Sequence, residues 1–309
     1  MIIDPQERTI ISSLGWADRN CLWCLDIASE RPRTVEIGNA KYLSLRAGSK
    51  GYFAVVHHFD AGRLEITAHT FADPGAILSR CSIDGEVRRI EGDLAIWNDL
   101  PRYYVAYLVQ PAWSDFALIE VDAATGLSLQ TFEWYDQRYD KGYQGITGVI
   151  EIPGSNAVIV SVQRDSRPVL FDPVTRRKIG EIALTGKHGN PTLHFRRTAH
   201  ELWADDYDTV LKLEPESWRI LNQQGLQGPG AGGTAQFIGQ YAFDVDERIC
   251  AVARPFSGDV VGLDPEELRV YCRAEVGAQP LVTSVLRDNR IFARDWKTGA
   301  LLKGVLRPV

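Results

Sequence analysis

The chain has 309 residues, of which 45% are hydrophobic and 24% charged, and its net charge is -6. This is the composition of an ordinary globular protein, and the acidic balance argues against nucleic-acid binding through a generally basic surface. No stretch approaches the roughly 18 apolar residues of a membrane-spanning helix, and residues 1–11 lack the apolar core of a signal peptide. We therefore expect a cytoplasmic protein that binds neither nucleic acid nor membrane.

One unit recurs along the chain: a β-rich run, a short polar loop, a second β-rich run and a closing turn. Seven copies align, in chain order Arg8–Asp26, Gly51–Asp73, Arg102–Asp122, Asn156–Pro173, Glu201–Pro215, Glu247–Pro265 and Asn289–Pro308. Their closing turns are about 40 to 50 residues apart, which is the period of propeller blades. Two more strand-like pieces lie between copies, so each unit contains four strands.

These repeats predict one all-β domain over residues 1–309, a seven-bladed β-propeller with four-stranded antiparallel blades. The alternative is a six-bladed propeller with an extra hairpin. The residues after the last closing turn and those before the first closing turn are together too few for a complete blade. At least one closing blade must therefore lack a strand or borrow one from the other terminus. Met1–Asp4 is the candidate for such a closure, and a strand near Met1–Ser12 is expected to complete or neighbour the sheet that contains Ala300–Leu306.

Cys21 and Cys24 form a C-x-x-C pattern within a predicted strand. Residues three apart on a strand point to opposite faces of the sheet. We therefore expect neither a disulfide nor a shared metal at this pair, and we expect all five cysteines to be reduced.

Three segments carry a family resemblance. Gly186–Pro191 and Val276–Pro280 resemble the V-G-x-x-P element of YVTN-type propeller repeats, and Asp122–Gly126 resembles the D-x-x-T-G turn of the same family. The chain thus resembles the YVTN-type and quinoprotein-like superfamily of seven-bladed propellers. That resemblance implies the fold and leaves the function open, because related propellers include binding proteins and lactonase-like enzymes.

The loops that join the inner strands to the outer strands are expected to open on one propeller face, together with the blade-to-blade connections. Every such inner-to-outer loop contains an aspartate: Trp16–Asn20, His57–Asp60, Trp113–Asp115, Arg164–Arg167, Asp205–Asp208, Ser257–Asp259 and Asp295–Lys297. Aspartate favours turns because it bonds its own backbone. The alternative interpretation is a carboxylate-lined rim that attracts a cation or a basic partner.

The connection Trp134–Gly145 is long and carries four aromatic residues. Aromatic rings with polar tips are typical of recognition surfaces, although here they could equally cover the ends of two blades. We predict ligand contacts from this connection and from the inner-to-outer loops, at Trp113, Tyr135, Tyr139, Tyr143, Gln144, Arg164, Asp205, Tyr207 and Trp296.

Candidate catalytic groups are His57, His58 and His188, with Asp60 as a nearby carboxylate. A histidine beside a carboxylate can act as a general base. Adjacent strand residues diverge, so we expect only one of His57 and His58 to face the channel. No metal-ligand spacing, nucleophile elbow, phosphate-binding loop or dinucleotide fingerprint is present, so no metal and no cofactor are predicted.

The function predicted first is a non-catalytic propeller that binds a protein segment, a saccharide or a small molecule through its loop-rich face. The alternative is a propeller enzyme, a hydrolase, lyase or isomerase similar to lactonases, with a polar His/Asp site at the channel mouth. The position of the polar groups distinguishes the enzyme from the binding propeller. An enzyme needs its base and its electrophilic donor within hydrogen-bond reach of one point.

Overall fold

The computed structural model describes the whole chain except residues 15–16, 19, 48–50, 59–62, 84–91, 97–101, 110–114, 123–127, 136–145, 156, 163–164, 173, 176, 188 and 227–236. The chain divides into two compact units, Ile2–Ala183 and Leu184–Val309, and Met1 groups with the latter.

The unit Ile2–Ala183 contains four antiparallel sheets, each built from four strands that follow one another in the chain. The first sheet consists of β1 (Ile2–Ile3), β2 (Thr9–Ser12), β3 (Cys21–Asp26) and β4 (Arg31–Glu36), and the second of β5 (Ala40–Ala47), β6 (Tyr52–His58), β7 (Arg63–His69) and β8 (Ile77–Ile83). The third consists of β9 (Gly92–Ile96), β10 (Arg102–Val109), β11 (Asp115–Asp122) and β12 (Ser128–Tyr135), and the fourth of β13 (Ile146–Glu151), β14 (Val158–Val162), β15 (Val169–Asp172) and β16 (Arg177–Glu181).

The unit Leu184–Val309 contains three antiparallel sheets. The first consists of β17 (Leu193–Arg196), β18 (Glu201–Asp206), β19 (Thr209–Leu213) and β20 (Ile220–Gly225). The second contains β21 (Tyr241–Phe243), β22 (Cys250–Arg254), β23 (Asp259–Asp264), β24 (Arg269–Glu275) and, as a fifth strand, β28 (Arg307–Pro308). The third has only β25 (Pro280–Val285), β26 (Arg290–Asp295) and β27 (Leu301–Val305).

The burial of each strand follows its place in the sheet. Middle strands read as apolar runs and are buried on both faces, as in β19, whereas the outer strand β20 is mostly exposed and polar. The core of this unit includes Trp203, Val252 and Leu263, all fully buried. Small apolar side chains dominate such strands because two neighbouring sheets must close over them.

The strand count confirms the all-β, four-stranded antiparallel pattern but corrects the predicted number of complete blades. Within the described residues, six sheets contain four consecutive strands, so the prediction of a seven-bladed propeller is wrong and the six-bladed alternative fits. The additional sheet has three strands in place of a hairpin. It lacks a fourth because the chain after β27 pairs with β24 as β28.

Residues at the N-terminus do not complete that three-stranded sheet. Ile2 and Ile3 pair with Ile11 and Ile10 inside the first sheet, so the expectation that this segment completes the last sheet is wrong. The expectation that one closing sheet lacks a strand is confirmed.

All five cysteines lie in the described residues, and none forms a disulfide. Cys24 is buried on β3, and burial raises the pKa of its thiol to about 11. A thiol with so high a pKa carries almost no thiolate at neutral pH, so Cys24 is a packing residue. Within the described part of the chain, no helix has the length and apolar character to cross a membrane.

Candidate binding site

Each sheet of the unit Leu184–Val309 places an aromatic residue on the turn between its second and third strands. These residues are Tyr207 between β18 and β19, Phe256 between β22 and β23, and Trp296 between β26 and β27. A fourth aromatic residue, Phe237, belongs to the connection that precedes β21. We call these four residues the aromatic cluster.

The ring of Phe237 is the centre of the aromatic cluster. Its centroid lies 5.1 Å from Phe256 at an interplanar angle of 86°, and 5.1 Å from Trp296 at 79°. Tyr207 contacts it at 6.5 Å and 64°, and Phe256 and Trp296 lie 6.0 Å apart. These are edge-to-face contacts, which suit the electrostatics of aromatic rings. Phe256 nevertheless remains 47% exposed, so the cluster presents apolar surface to solvent.

The turn of Tyr207 is held by the loop that crosses it. The Asp206 carboxylate accepts hydrogen bonds from the backbone N–H groups of Thr185 (3.0 Å), Lys187 (3.2 Å) and Gly189 (3.0 Å). Gly189 has to be glycine because a Cβ there would lie 2.1 Å from the Tyr207 backbone nitrogen. Tyr207 itself has φ 62°, in the left-handed region that side chains with a Cβ seldom adopt.

The segment that carries Phe237 is bonded to three different sheets. Ile238 N–H donates to the Tyr207 carbonyl (2.7 Å), Gly239 N–H to Ala253 (2.8 Å), and Gln240 N–H to Leu281 (2.7 Å). A Cβ on Gly239 would lie 2.2 Å from the Leu281 carbonyl oxygen, so only glycine allows this close approach. The backbone therefore fixes the Phe237 ring between the turns of its neighbours.

Trp296 is fixed by the aspartate that precedes it. The Asp295 carboxylate accepts from the N–H groups of Gln279 (2.9 Å), Lys297 (3.0 Å) and Thr298 (2.7 Å), while Trp296 N–H donates to the Gln279 carbonyl (2.7 Å). Burial acts to raise the pKa of Asp295, but these hydrogen bonds outweigh it and hold the pKa below its ordinary value.

The aspartates at the turns between the second and third strands of this unit are buried and support the loops. Asp205 is 5% exposed and accepts from the N–H and Oγ1 of Thr192, both at 2.5 Å, and burial raises its pKa to about 7. The Lys187 Nζ lies 2.5 Å from the buried Asp208 carboxylate. Arg254 forms an ion pair with the fully buried Asp259, with Nε 2.8 Å from Oδ1. These contacts are those of turn-stabilising residues.

The structure brings two of the predicted ligand contacts, Tyr207 and Trp296, onto one ring, that of Phe237. Asp205 lies two residues before Tyr207 but is buried. Tyr135 ends β12, and its side chain is outside the described residues. The other predicted contacts and two of the predicted catalytic groups also lie outside the described residues: Trp113, Tyr139, Tyr143, Gln144, Arg164, His188 and Asp60.

The histidine pair lies at the end of β6 in the unit Ile2–Ala183. His57 is buried at 7% exposure, whereas His58 is partly exposed. His58 Nε2 lies 3.0 Å from Oε2 of Glu65, a nearly buried carboxylate on β7 whose Oε1 lies 3.2 Å from Arg80 Nε. Glu65 was missed from the sequence because the contact depends on the register of β6 against β7. Among the described residues, no three His, Cys, Asp or Glu side chains gather to hold a metal ion.

Phe237 and Phe256 were also missed from the sequence. Phe256 occupies the same turn of the repeat as Tyr207 and Trp296, so the repeat phase could have found it. Phe237 had no such signal, because it follows a glycine-rich stretch without periodicity.

Comparison with known proteins supports the fold but does not identify a function. No family model and no curated protein matches the sequence. The β-propeller domain of Cps50 (Swd1) from Myceliophteria thermophila is similar in structure, with a TM-score of 0.70, 11% identity, and coverage of 99% of this chain and 95% of that one. A chain of the Mitotic Checkpoint Complex has a TM-score of 0.67, 8% identity, and coverage of 99% of this chain and 85% of that one. The fold is therefore a β-propeller, and these neighbours are of the WD40 type.

Proposed function

We propose that this protein is a binding propeller that holds a segment of another protein against the aromatic cluster. The observation that carries this proposal is the exposed ring of Phe256, packed edge to face on Phe237, whose adjoining segment is held by backbone hydrogen bonds. Comparison supports the class of partner, because one structural neighbour is part of the Mitotic Checkpoint Complex. The propeller domain is proposed to span residues 1–309, since the solved domain covers 99% of the chain.

A rigid aromatic platform suits this task for an energetic reason. A partner side chain that packs on Phe256 and Trp296 gains apolar contact, while the platform loses little conformational freedom because its backbone is already fixed. Aromatic anchors of this kind dominate the energetics of protein interfaces. The exposed basic side chain of Lys297, on the turn of Trp296, adds polar contacts at the rim.

The predicted connection Trp134–Gly145 remains a second recognition element in this proposal. Its aromatic residues, with Trp113 and Arg164, are candidates to extend the contact, and a saccharide or small molecule remains an alternative occupant. Residues 136–145 lie outside the described structure, so their role rests on sequence alone.

A comparative capture experiment tests the proposal. The wild-type protein, Phe256→Asp and Val174→Asp are immobilised in parallel, and bound proteins from a lysate of the source cells are quantified by mass spectrometry. Val174 is a matched control because it is 73% exposed on a turn outside the aromatic cluster. We expect at least one protein to be depleted about tenfold or more by Phe256→Asp and unaffected by Val174→Asp. Equal depletion by the two variants would show that the cluster does not carry recognition.

A second candidate function is a propeller enzyme, which the His58–Glu65 pair favours. A buried carboxylate can orient a partly exposed histidine as a general base. If this group is catalytic, His58→Gln abolishes turnover of a substrate from a panel of lactones and esters, whereas Phe256→Asp leaves turnover unchanged. Absence of turnover by the wild-type protein across the panel would remove support from the lactonase-like form of this alternative.

A further inference from the structure

The third strand of the last sheet, β27, is exposed where its counterparts are covered. In the other two sheets of the same unit the third strands, β19 and β23, are almost completely buried beneath a fourth strand. Within the described part of the chain, β27 has no such neighbour, and it contains half-buried and exposed residues, with Val305 46% exposed. The third strand of this sheet therefore lies at its edge.

The backbone of β27 is oriented to accept another strand. Leu306 N–H donates to the Asn289 carbonyl and Asp295 N–H donates to the Ala300 carbonyl, both at 2.9 Å. These two bonds, with the register of the hairpin, show which residues of β27 direct their backbone groups toward β26. In an antiparallel ladder, alternate residues direct their N–H and C=O away from the partner. Leu301 and Val305 therefore direct these groups toward the outer edge. Among the described strands, only β26 pairs with β27.

The chain itself continues to a different sheet. Leu306 is buried, and the next residues form β28, where Arg307 and Pro308 lie opposite Arg273 and Cys272 of β24. Proline has no N–H group, so Pro308 contributes no donor to a further ladder on that side. The outer edge of β24 is covered in this way, whereas none of the strands that the structure describes covers that of β27.

The charge around this edge is opposite to that of the chain as a whole. The segment from Arg287 to Arg307 contains two acidic residues, and its basic residues are Arg287, Arg290, Arg294, Lys297, Lys303 and Arg307. Arg287 pairs with Asp246 at 2.7 Å, and Arg294 is buried and donates to the Gly299 carbonyl at 2.5 Å. Besides Arg287, the exposed basic side chains of the segment are those of Lys297, Lys303 and Arg307. One of the two acids, Asp295, is occupied by backbone donors, and the other, Asp288, pairs with Arg290 at 2.8 Å. Lys303 lies exposed on β27 itself. An acidic strand would therefore be attracted to this edge of a protein whose net charge is -6.

We propose that β27 accepts, as the fourth strand of its sheet, an extended acidic segment of a partner protein. Backbone hydrogen bonds at Leu301 and Val305 supply affinity, and the basic side chains select for glutamate or aspartate, which is the general mode of strand addition at a sheet edge. This inference does not depend on the aromatic cluster, because its contacts lie along β27 and not on the turn of Trp296.

Synthetic peptides test the edge on the intact protein. The probe is a fluorescent peptide of about ten residues that alternates valine with glutamate, and its comparators replace glutamate with lysine or carry N-methyl groups on alternate residues. We expect the acidic peptide to bind about tenfold or more tightly than either comparator. Raising the ionic strength from about 0.1 M to about 1 M should weaken its binding, since the Debye length falls from about 10 Å to about 3 Å. Amide exchange over residues 301–305 should slow when it binds.

Substitution of Val305 locates the contact. Val305→Pro removes a donor that points away from β26, so it should reduce acidic-peptide binding about tenfold while Val305→Thr, which keeps the donor, binds as wild type. Equal binding of the acidic and N-methylated peptides, or unchanged amide exchange over residues 301–305, overturns the proposal without reliance on any variant. If amide exchange over residues 301–305 is already slow without peptide and becomes fast when the protein is diluted, a second copy of this chain covers the edge, and the proposal of an acidic partner segment is overturned.

Discussion

The rings of Phe237 and Trp296 meet edge to face with their centroids 5.1 Å apart, which joins the connection before β21 to the turn between β26 and β27. The same Phe237 ring contacts Phe256 and Tyr207. A single side chain therefore packs against turns of all three sheets of the unit Leu184–Val309. Its removal should affect stability, whereas removal of an outer ring should affect mainly recognition.

Phe237→Ala and Phe256→Ala are predicted to separate these two roles. Phe237 is half-buried at the centre of the cluster, so its truncation should lower the free energy of unfolding by about 2 kcal/mol, somewhat less than the cost for a fully buried phenylalanine. Phe256 is 47% exposed, and its truncation should change that free energy by about 0.5 kcal/mol or less. Urea unfolding followed by tryptophan fluorescence measures both. Equal destabilisation by the two variants would assign Phe256 to the core.

Tyr207 is predicted to be a strained residue retained for its ring. The φ of this position is 62°, and asparagine tolerates the left-handed region better than alanine does. The free energy of unfolding, measured with urea, should therefore be about 1 kcal/mol higher for Tyr207→Asn than for Tyr207→Ala. Both variants lose the contact with Phe237, so the contact cancels from the comparison. Equal free energies of unfolding for the two variants would show that the turn relaxes out of the left-handed conformation.

Much of this architecture could be predicted from the sequence because strand and turn chemistry is local. The hairpin copies were recognised from alternating apolar runs and acid–proline turns, and Asp295 behaves as a turn aspartate should. A closing sheet that lacks a strand was predicted, but the pairing of β28 with β24 was not, because β28 has only two residues and pairs through tertiary contact. Phe237 was missed for the same reason, since its position depends on Gly239 approaching Leu281 and no local pattern records that approach.

Glu151 is predicted to make stability fall as the pH rises. It ends β13, its side-chain oxygens are buried, and neither has a hydrogen-bond partner among the described residues. Burial, and secondly the charge of Glu120, raise its pKa to about 9 from an ordinary value of 4.5. The folded state therefore holds a proton that the unfolded chain releases, so stability is greatest below pH 4.5 and is lost as the pH rises toward 9.

Glu151→Gln should remove this dependence. We expect the variant to match wild type near pH 5 and to exceed it near pH 8 by on the order of 2 kcal/mol in the free energy of unfolding, because glutamine has no charge to bury. Glu181→Gln, a substitution at an exposed residue of the same unit, is the control and should not alter the slope. A variant that is no more stable than wild type near pH 8 would mean that the Glu151 carboxylate is ionised and partnered in solution.

Lys212 and Glu201 form an ion pair in which Lys212 is buried and Glu201 is half-buried. Removal of the lysine alone should lower the free energy of unfolding more than replacement of both residues together. Lys212 is 6% exposed, and its Nζ lies 2.7 Å from Glu201 Oε1 and 2.9 Å from the Pro265 carbonyl oxygen. Arg196 NH1 lies 3.2 Å from the other oxygen of Glu201, and Trp203 Nε1–H also donates to that oxygen at 3.2 Å.

Lys212→Met leaves this carboxylate with one cation fewer, so it should destabilise the fold by about 3 kcal/mol. Lys212→Met combined with Glu201→Gln should recover part of that loss, since no uncompensated charge stays buried on β18, and a double-mutant cycle from urea unfolding measures the coupling. Strict additivity of the two substitutions would contradict a direct interaction between these side chains.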